Sequence, residues 1–230
     1  MVKAIQVGLG HWGFSWTKEV IPKVPSIHMV GYVDSNPDAV KRVQSELGIE
    51  EKRCFLSLDE AAKGVEADLA ICTLRTEAHY PVVKRCLELG FNVLVEKPFA
   101  STIAQAKELV ELAKANGRVL MVSQNYRFQP PPIAAAELIG AQKFGPVNLV
   151  SIDFRRHAPS QGYRYWDMPD PLLADMSIHH FDLMRYVLND EPVRLSCRTW
   201  NPPGSPFHFH PSGAALIEFS KGTMLSLIHI

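Results

Sequence analysis

The chain has 230 residues, of which 47% are apolar and 9% aromatic, and its 24 basic and 24 acidic side chains give a formal net charge of +0. This length suffices for one large domain or two modest ones, each with a buried core. The balanced charge argues against binding to nucleic acid or anionic lipid, and no apolar run approaches the ~20 residues that span a bilayer. The chain shows no signal-peptide pattern and its four cysteines form no CxxC pair, so we expect reduced thiols in a cytoplasmic protein.

The first half of the chain alternates apolar, β-rich runs with segments of helical period. Predicted strands cover 3–8, 27–33, 67–73, 91–96 and 119–123, and predicted helices cover 11–24, 37–47, 81–89 and 102–115. Pro37 suits the first turn of the second helix, with Asn36 or Ser35 as its cap. Continuous apolar strands separated by helices predict a doubly wound parallel sheet of the α/β class, which we place at residues 1–125.

The pattern changes after Pro130-Pro131-Pro132, a stiff run typical of a domain junction. Predicted helices then cover 133–142 and 178–188, and predicted strands cover 147–155, 193–200, 213–219 and 222–230. Because helices and strands are segregated here, residues 126–230 are predicted to form an α+β domain.

The last six residues match what one reading frame of a widely used sequencing-library adaptor encodes. We therefore expect residues 225–230 to be artefactual, the natural protein to continue past Met224, and the second domain to be incomplete.

The hexapeptide Gly8-Leu9-Gly10-His11-Trp12-Gly13 fits the GxGxxG fingerprint, and it lies between a predicted strand and a predicted helix. Gly8 permits a tight turn, Gly10 lets the backbone approach a pyrophosphate, and Gly13 allows close helix–sheet packing. Alone, such a hexapeptide is equally compatible with an ordinary turn. Its context predicts a dinucleotide-binding Rossmann domain.

Asp34 ends the second predicted strand, where a carboxylate accepts hydrogen bonds from an adenine-ribose diol. The alternative is a turn or capping residue, since Asp34-Ser35-Asn36-Pro37 is good turn chemistry. A carboxylate here repels a 2′-phosphate, so NAD is favoured over NADP. The nearby Ser35, Lys41 and Arg42 leave NADP open.

Glu96-Lys97-Pro98 ends the fourth predicted strand, at the sheet edge where ligands bind. Desolvation there lowers the pKa of a lysine towards acid–base use, and Glu96 is placed to orient it. Pro98 makes the preceding peptide bond a candidate for the cis form. The alternative is an ordinary exposed lysine beside a glutamate.

The segment from Asp175 to Asp182 contains His179 and His180. In a helix, Asp175 and His179 share a face with Asp182, and a carboxylate one turn from an imidazole sets its tautomer and raises its basicity. His180 is expected to be structural, and Asp182 is open to a purely structural role. Adjacent histidines point about 100° apart on a helix, so we predict no metal site here.

Together these features resemble the glucose–fructose oxidoreductase / inositol dehydrogenase (Gfo/Idh/MocA) family. The resemblance runs from GLGHWG through GFNVLVEKPFA and VSQNYRF to LLADMSIHHFD, and VLVEKP with a downstream DxxxH is its specific part. It implies an N-terminal Rossmann domain and a C-terminal α+β domain with an open, mostly antiparallel sheet that often mediates oligomers.

By resemblance, Lys97, Asp175 and His179 are the catalytic residues. In dehydrogenase members the histidine takes the hydroxyl proton, the aspartate orients it, and the lysine contacts cofactor and substrate. Tyr126-Arg127 fits a YR signature, which we expect to be structural or substrate-lining. The cofactor residues we predict are Gly8, Gly10, His11, Trp12, Gly13, Asp34, Ser35, Thr73, Glu96 and Lys97.

The sequence departs from the family pattern in three ways: two segments differ locally, and the chain stops well short of the usual family length, so we expect sheet strands to be missing. The common Thr-Pro-Asn segment is Thr73-Leu74-Arg75 here, with His79 displaced, and the glycine triplet before the DxxxH aspartate is replaced by Asp170-Pro171-Leu172-Leu173. The stretches 155–166 and 200–210 are expected to edge the pocket, with His208 and His210 as loop or edge residues.

The function predicted is oxidation or reduction of a secondary alcohol in a sugar, cyclitol or related polyol, with NAD as cofactor, by a protein that forms homo-oligomers when full length. Two alternatives share the scaffold. One is an NAD-dependent glycosidase, and the other is a regulator that senses dinucleotide without turnover.

Overall fold

A computed structural model describes residues 1–155 and 168–229 of the chain. The chain divides into two compact units, Met1–Ser123 and Gln124–Ile230. Within the described residues, the helices are too short or too polar to cross a bilayer.

The first unit is built on one parallel sheet of six strands. In spatial order 3-2-1-4-5-6, its strands are β1 (Val2–Val7), β2 (Ile27–Val33), β3 (Cys54–Phe55), β4 (Leu69–Cys72), β5 (Asn92–Val95) and β6 (Leu120–Val122). The order reverses direction between β1 and β4, and this is the point at which open α/β sheets bind ligands beyond their carboxyl ends.

Helices cover both faces of this sheet: α1 (His11–Ser15), α2 (Pro37–Leu47), α3 (Leu58–Gly64), α4 (Thr76–Glu88) and α5 (Ile103–Ala115). Successive strand residues point into opposite cores. Ala4 and Ile71 belong to one buried cluster, whereas their neighbours Ile5 and Ala70 belong to the other. This period of two explains why the strands read as continuous apolar runs.

Two helices of the first unit differ from the prediction. The predicted helix at 11–24 is instead α1, a π-helical turn (Trp16–Val20) and a 3₁₀ turn (Ile21–Lys23), since Pro22 has no N–H with which to continue the α-helical ladder. The predicted start at Pro81 is also wrong, because α4 begins at Thr76 and contains the proline. Burial of His79, Val83, Cys86 and Leu87 offsets the hydrogen bond that Pro81 cannot make.

The short strand β3 and the helix α3 were not predicted. Two residues carry too little pattern to indicate a strand. The α3 start does carry a signal, because Ser57 caps it by accepting a hydrogen bond from the Glu60 N–H at 3.2 Å.

The second unit contains a four-stranded mixed sheet with helices. Its elements are α6 (Pro130–Gly140), β7 (Leu149–Phe154), α7 (Ile178–Leu188), β8 (Pro192–Trp200), β9 (Ser212–Phe219) and β10 (Met224–His229). The strand order is β7-β10-β9-β8, with β10 parallel to β7 and the other two pairings antiparallel. The predicted fold class is confirmed: a doubly wound parallel sheet followed by an α+β unit.

The proline run 130–132 forms the first turn of α6. Backbone N–H groups in the first turn of a helix have no intrahelical acceptor, so prolines there cost no hydrogen bond. At the other end, Leu225 and Leu227 of β10 are buried in the core of the second sheet. Their alternation with Ser226 suits a strand whatever the origin of these residues, and the adaptor origin of 225–230 stays a prediction.

Candidate functional site

The glycine-rich turn between β1 and α1 is packed so closely that two of its glycines are sterically required. Gly8 has φ +97°, and a Cβ there would lie 2.8 Å from Leu74 Cδ2. A Cβ on Gly13 would lie 1.9 Å from the carbonyl oxygen of Gly8. Around Gly10, in contrast, there is nothing within 4 Å of an added Cβ. The turn is therefore closed on its protein side and open at Gly10, as a pyrophosphate cradle requires.

Gln6, which the sequence analysis missed, organises this turn from inside the sheet. Its side chain is fully buried, and Nε2 donates to the Gly13 carbonyl at 2.8 Å and to Thr73 Oγ1 at 3.0 Å. Its Oε1 accepts from Thr17 Oγ1 at 2.7 Å. A polar residue inside the apolar strand before the glycines was the available signal, because a buried amide needs partners close by.

Asp34 connects the end of β2 to the glycine-rich turn. Its Oδ2 accepts from the Leu9 N–H at 2.7 Å, and its Oδ1 accepts from the Asn36 N–H at 2.9 Å. Asn36, not Asp34, caps α2, by accepting from the Asp38 N–H at 3.0 Å. Since each carboxylate oxygen accepts more than one hydrogen bond, Asp34 retains capacity for a ribose diol.

The remaining predicted cofactor residues of the turn regions differ in exposure. His11, Trp12 and Ser35 are exposed beside Gly10 and Asp34 in the chain. Thr73 is buried after β4, and its hydroxyl donates to the Gly8 carbonyl at 2.6 Å. The side chain of Thr73 thus stabilises the glycine-rich turn from the buried side, through the Gly8 carbonyl.

His79 lies fully buried between two loops at the carboxyl edge of the sheet. Its Nδ1 lies 2.8 Å from the carbonyl oxygen of Pro98, and its Nε2 lies 3.1 Å from that of Leu74. Although displaced relative to the family pattern, this histidine ties the segment after β4 to the segment after β5. This role of His79 was not predicted from the sequence.

Lys97 follows β5 at the same edge of the sheet. Glu96 is 7% exposed, and its Oε2 accepts from the backbone N–H of Lys97 at 3.2 Å. This contact fixes the main chain at Lys97, and the predicted contact of Glu96 with the ammonium group stays a prediction. The peptide bond between Lys97 and Pro98 is cis, which confirms that prediction.

Asp175 and His179 lie in one continuous helical run of the second unit. Asp175 is in a π-helical turn (Leu172–Ser177) that leads directly into α7, and His179 is the second residue of α7. Both are largely buried, at 9% and 5% exposure. The predicted helical placement therefore holds, but with a wider turn at Asp175 than an α-helix has, a feature frequent at functional sites.

The Tyr126-Arg127 pair contacts α7 at two points. The rings of Tyr126 and His179 are stacked, with centroids 4.1 Å apart and planes 8° from parallel. Arg127 Nε donates to Asp182 Oδ2 at 2.8 Å, and its Nη2 donates to Oδ1 of the same carboxylate. Asp182, which the sequence placed on a shared face with His179, is thus an ion-pair partner of Arg127. This pairing with Asp182 raises the pKa of Arg127.

The other histidines have separate environments. His180 is buried against Phe154, with ring centroids 5.2 Å apart, and burial lowers its pKa. His210 lies in the connection between β8 and β9, with Nδ1 3.0 Å from Thr199 Oγ1.

Of the stretch 155–166 predicted to edge the pocket, residues 156–166 lie outside the described residues. Within 1–155 and 168–229, no three His, Cys, Asp or Glu side chains group in a way that would hold a metal ion.

The first unit fits a bound dinucleotide on three observations: the closed turn at Gly8 and Gly13, the open side at Gly10, and the Asp34 carboxylate at the end of β2. Arg42, a candidate for a 2′-phosphate, is already engaged. Its guanidinium lies 3.8 Å from the centre of the Phe14 ring, and its Nε donates to Glu46 Oε1 at 3.1 Å.

Comparison with known proteins places both units in one group. A family model described as an oxidoreductase family with an NAD-binding Rossmann fold matches residues 2–124, and a model of the GFO/IDH/MocA C-terminal domain matches residues 133–228. The first match confirms the predicted class of cofactor.

Two relatives match most of the chain at 27% identity. An uncharacterised protein, y4oX, of Sinorhizobium fredii is matched over 227 residues, covering 96% of this chain and 63% of that protein. The scyllo-inositol 2-dehydrogenase (NAD(+)) of Bacillus subtilis is matched over 198 residues, covering 85% of this chain and 56% of that enzyme. The chain therefore spans about three-fifths of the length of these relatives.

A solved structure shares the fold of the whole chain. The oxidoreductase from Agrobacterium radiobacter in complex with NAD+, L-tartaric acid and magnesium superposes with a TM-score of 0.87 at 21% sequence identity. The match covers 99% of this chain and 66% of that one.

Proposed function

Because the chain belongs to the GFO/IDH/MocA oxidoreductase family, we propose that the complete protein is an NAD-dependent dehydrogenase of secondary alcohols in sugars, cyclitols or related polyols. The observation that carries this proposal is the nucleotide-binding turn together with Lys97 at the carboxyl edge of the same parallel sheet. The similarity to an inositol dehydrogenase supports the substrate class.

The residues of the first unit hold the cofactor in this proposal. Gly10 and the N–H groups that follow it would hold the pyrophosphate, and Asp34 would accept hydrogen bonds from the adenine ribose. NAD is preferred over NADP, since Asp34 repels a 2′-phosphate and Arg42 is occupied by Glu46 and Phe14. When bound, NAD would supply the acceptor for the hydride that leaves the carbon carrying the hydroxyl group.

Three residues handle the substrate hydroxyl. His179 takes its proton as the carbon becomes a carbonyl, so one hydride and one proton leave the alcohol. Asp175, four residues earlier in the helical run, orients the imidazole and stabilises its protonated form. Lys97 stabilises negative charge on the substrate oxygen by its own positive charge.

The test of this function is NADH formation by the complete protein on a panel of inositols, aldoses and acyclic polyols. We expect Lys97→Ala and His179→Ala each to lower kcat by about 10²- to 10⁴-fold, the usual contribution of a group that acts on the proton or the developing charge. NAD binding, measured by calorimetry, should stay largely intact in both variants. Unchanged turnover in either variant would remove that residue from the mechanism.

Two further outcomes would assign a different function. Release of nitrophenol from nitrophenyl glycosides without net NADH would identify a glycosidase. NAD binding with no turnover on either panel would identify a dinucleotide sensor. Thermal unfolding with and without dinucleotide measures this binding. NAD at about 100 times its Kd should stabilise the protein by roughly 2.7 kcal/mol, and NADP at the same concentration should stabilise it by less.

A further inference from the structure

The imidazole of His179 is covered on one face by the ring of Tyr126. The ring centroids are 4.1 Å apart and the planes differ by 8°, so the two rings lie flat against each other. At this separation, rotation of the imidazole about its Cβ–Cγ bond would bring its edge against the tyrosine ring. The stack thus limits His179 to one ring plane.

Tyr126 is itself held to the helix that carries His179. The next residue, Arg127, makes two hydrogen bonds to the Asp182 carboxylate, and its guanidinium carbon lies 5.3 Å from the centre of the Tyr186 ring. Asp182 is three residues after His179, so the two contacts with α7 are about one turn apart. The Arg127 and Asp182 side chains are 33% and 16% exposed, so water screens the pair only partly.

We propose that Tyr126 is a positioning residue for His179: it fixes the plane of the imidazole and stabilises its protonated form with the face of its ring. The inference rests on the proposed role of His179 as the proton acceptor. An aromatic face within about 6 Å attracts a cation. The imidazolium is the species that exists after His179 has taken the substrate proton, so the stack favours the product of that step.

Other charged and titratable groups surround the same helical run and remain in place when Tyr126 is changed. They include Asp175, His180, Asp182, Arg185 and Tyr186 on the run itself and Arg127 on the segment Asn125–Phe128. The exposed Glu137 lies on α6, which packs against α7, and Glu218 lies on β9, which packs against the Leu172–Ser177 turn. Because these groups are common to every variant, a difference between variants reports on the ring at position 126.

The first test is an NMR titration of the ligand-free protein, so it needs no substrate. The His179 imidazole signal is assigned by its absence in His179→Gln. We expect Tyr126→Leu to lower the pKa of His179 by about 0.5 to 1, from the size of a cation–π contact. It should also remove the upfield ring-current shift of the His179 ring protons.

Tyr126→Phe is the matched control, since it keeps the ring and removes only the hydroxyl, and it should retain both properties. Tyr126→Met is a second variant without an aromatic ring, should leucine not be tolerated. An unchanged His179 pKa and chemical shift in the non-aromatic variants would overturn the proposal.

The second test uses turnover of a polyol that the unmodified protein oxidises. A kcat about tenfold lower in Tyr126→Leu, with NAD affinity unchanged and kcat restored in Tyr126→Phe, would support positioning. The low-pH limb of kcat/KM should move to lower pH together with the His179 pKa. A phenylalanine variant as impaired as the leucine variant would assign the effect to the hydroxyl and overturn the proposal. If even the unmodified protein oxidises no polyol, the proposed function fails, while the titration still decides the role of the stack.

Discussion

The glycine-rich turn of the first unit and the His179 segment of the second are held in place by different means. The turn is fixed through its backbone: Gly13 packs against the Gly8 carbonyl, and the buried side chains of Gln6 and Thr73 bond to main-chain oxygens. His179 is fixed through side chains, by the ring of Tyr126 and, one turn on, by the Arg127–Asp182 pair.

This difference indicates how each region responds to substitution. A backbone site allows almost no added volume, because the atoms that would have to move belong to the main chain. A side-chain site is adjusted by exchanging one ring or one charge. Substitutions at Gly13 and Arg127, each with a control, test that contrast, and one at His180 tests the burial of the imidazole next to His179.

The largest effect is expected at Gly13. In Gly13→Ala the Cβ would meet the Gly8 carbonyl oxygen at 1.9 Å, so the turn must open, at a cost of about 3 kcal/mol or more in the free energy of unfolding. NAD binding should be lost. Urea unfolding followed by circular dichroism and calorimetry with NAD measure the two effects.

Gly10→Ala is the matched control on the same turn. Its φ of −59° lies outside the left-handed region, and an added Cβ would meet nothing within 4 Å. Its free energy of unfolding should change by no more than about 0.5 kcal/mol, while NAD affinity falls. Equal destabilisation by the two variants would show that the turn is not fixed by backbone contact.

An intermediate effect is expected at Arg127. Arg127→Met keeps an unbranched chain but leaves the largely buried Asp182 carboxylate without its partner, which should destabilise the protein by about 1 to 3 kcal/mol. Arg155→Met is the comparison, since its pair with Asp153 is 70% and 50% exposed and should contribute less than about 0.5 kcal/mol. If both variants unfold at the same urea concentration, the Arg127 pair has no special role in holding α7.

The smallest effect is a pH dependence at His180. Burial lowers the pKa of this imidazole, so the unfolded chain binds the proton more readily than the folded protein. Its contribution to stability is therefore complete above the unfolded pKa of about 6.5 and is lost as pH falls below it, by up to about 1.4 kcal/mol per pH unit. His180→Phe keeps a ring against Phe154 and should lack this component. Identical slopes of unfolding free energy against pH would contradict the assignment.

Elements with clear boundary residues were predicted to the residue or nearly so. Pro37 and Asn36 define the start of α2, Thr102 caps α5 by accepting from the Gln105 N–H, and α7 has the predicted bounds. The reverse case is Pro81, which is typical of a helix start but lies inside α4. There, burial of the helix face outweighs the local signal.

The candidate site was predictable only in part, for a physical reason. The fingerprint glycines and Lys97 carry their own local pattern. Gln6, His79 and the stacking of Tyr126 acquire their roles from residues distant in the chain: Gln6 binds Thr73, 67 positions away, and His79 reaches Pro98, 19 positions away. Such pairings depend on strand order and helix packing, which a single sequence does not specify.

The place of Tyr126 and Arg127 in the chain matters for building chimaeras between relatives. The first compact unit ends at Ser123, so both residues belong to the start of the second unit and come before the proline run that looks like the natural cut point. A crossover at 123/124 transfers the tyrosine, the arginine and α7 as one inherited set. A crossover at 130–132 would combine one parent's Tyr126 and Arg127 with the other parent's histidine and aspartate, so the module to exchange begins at Gln124.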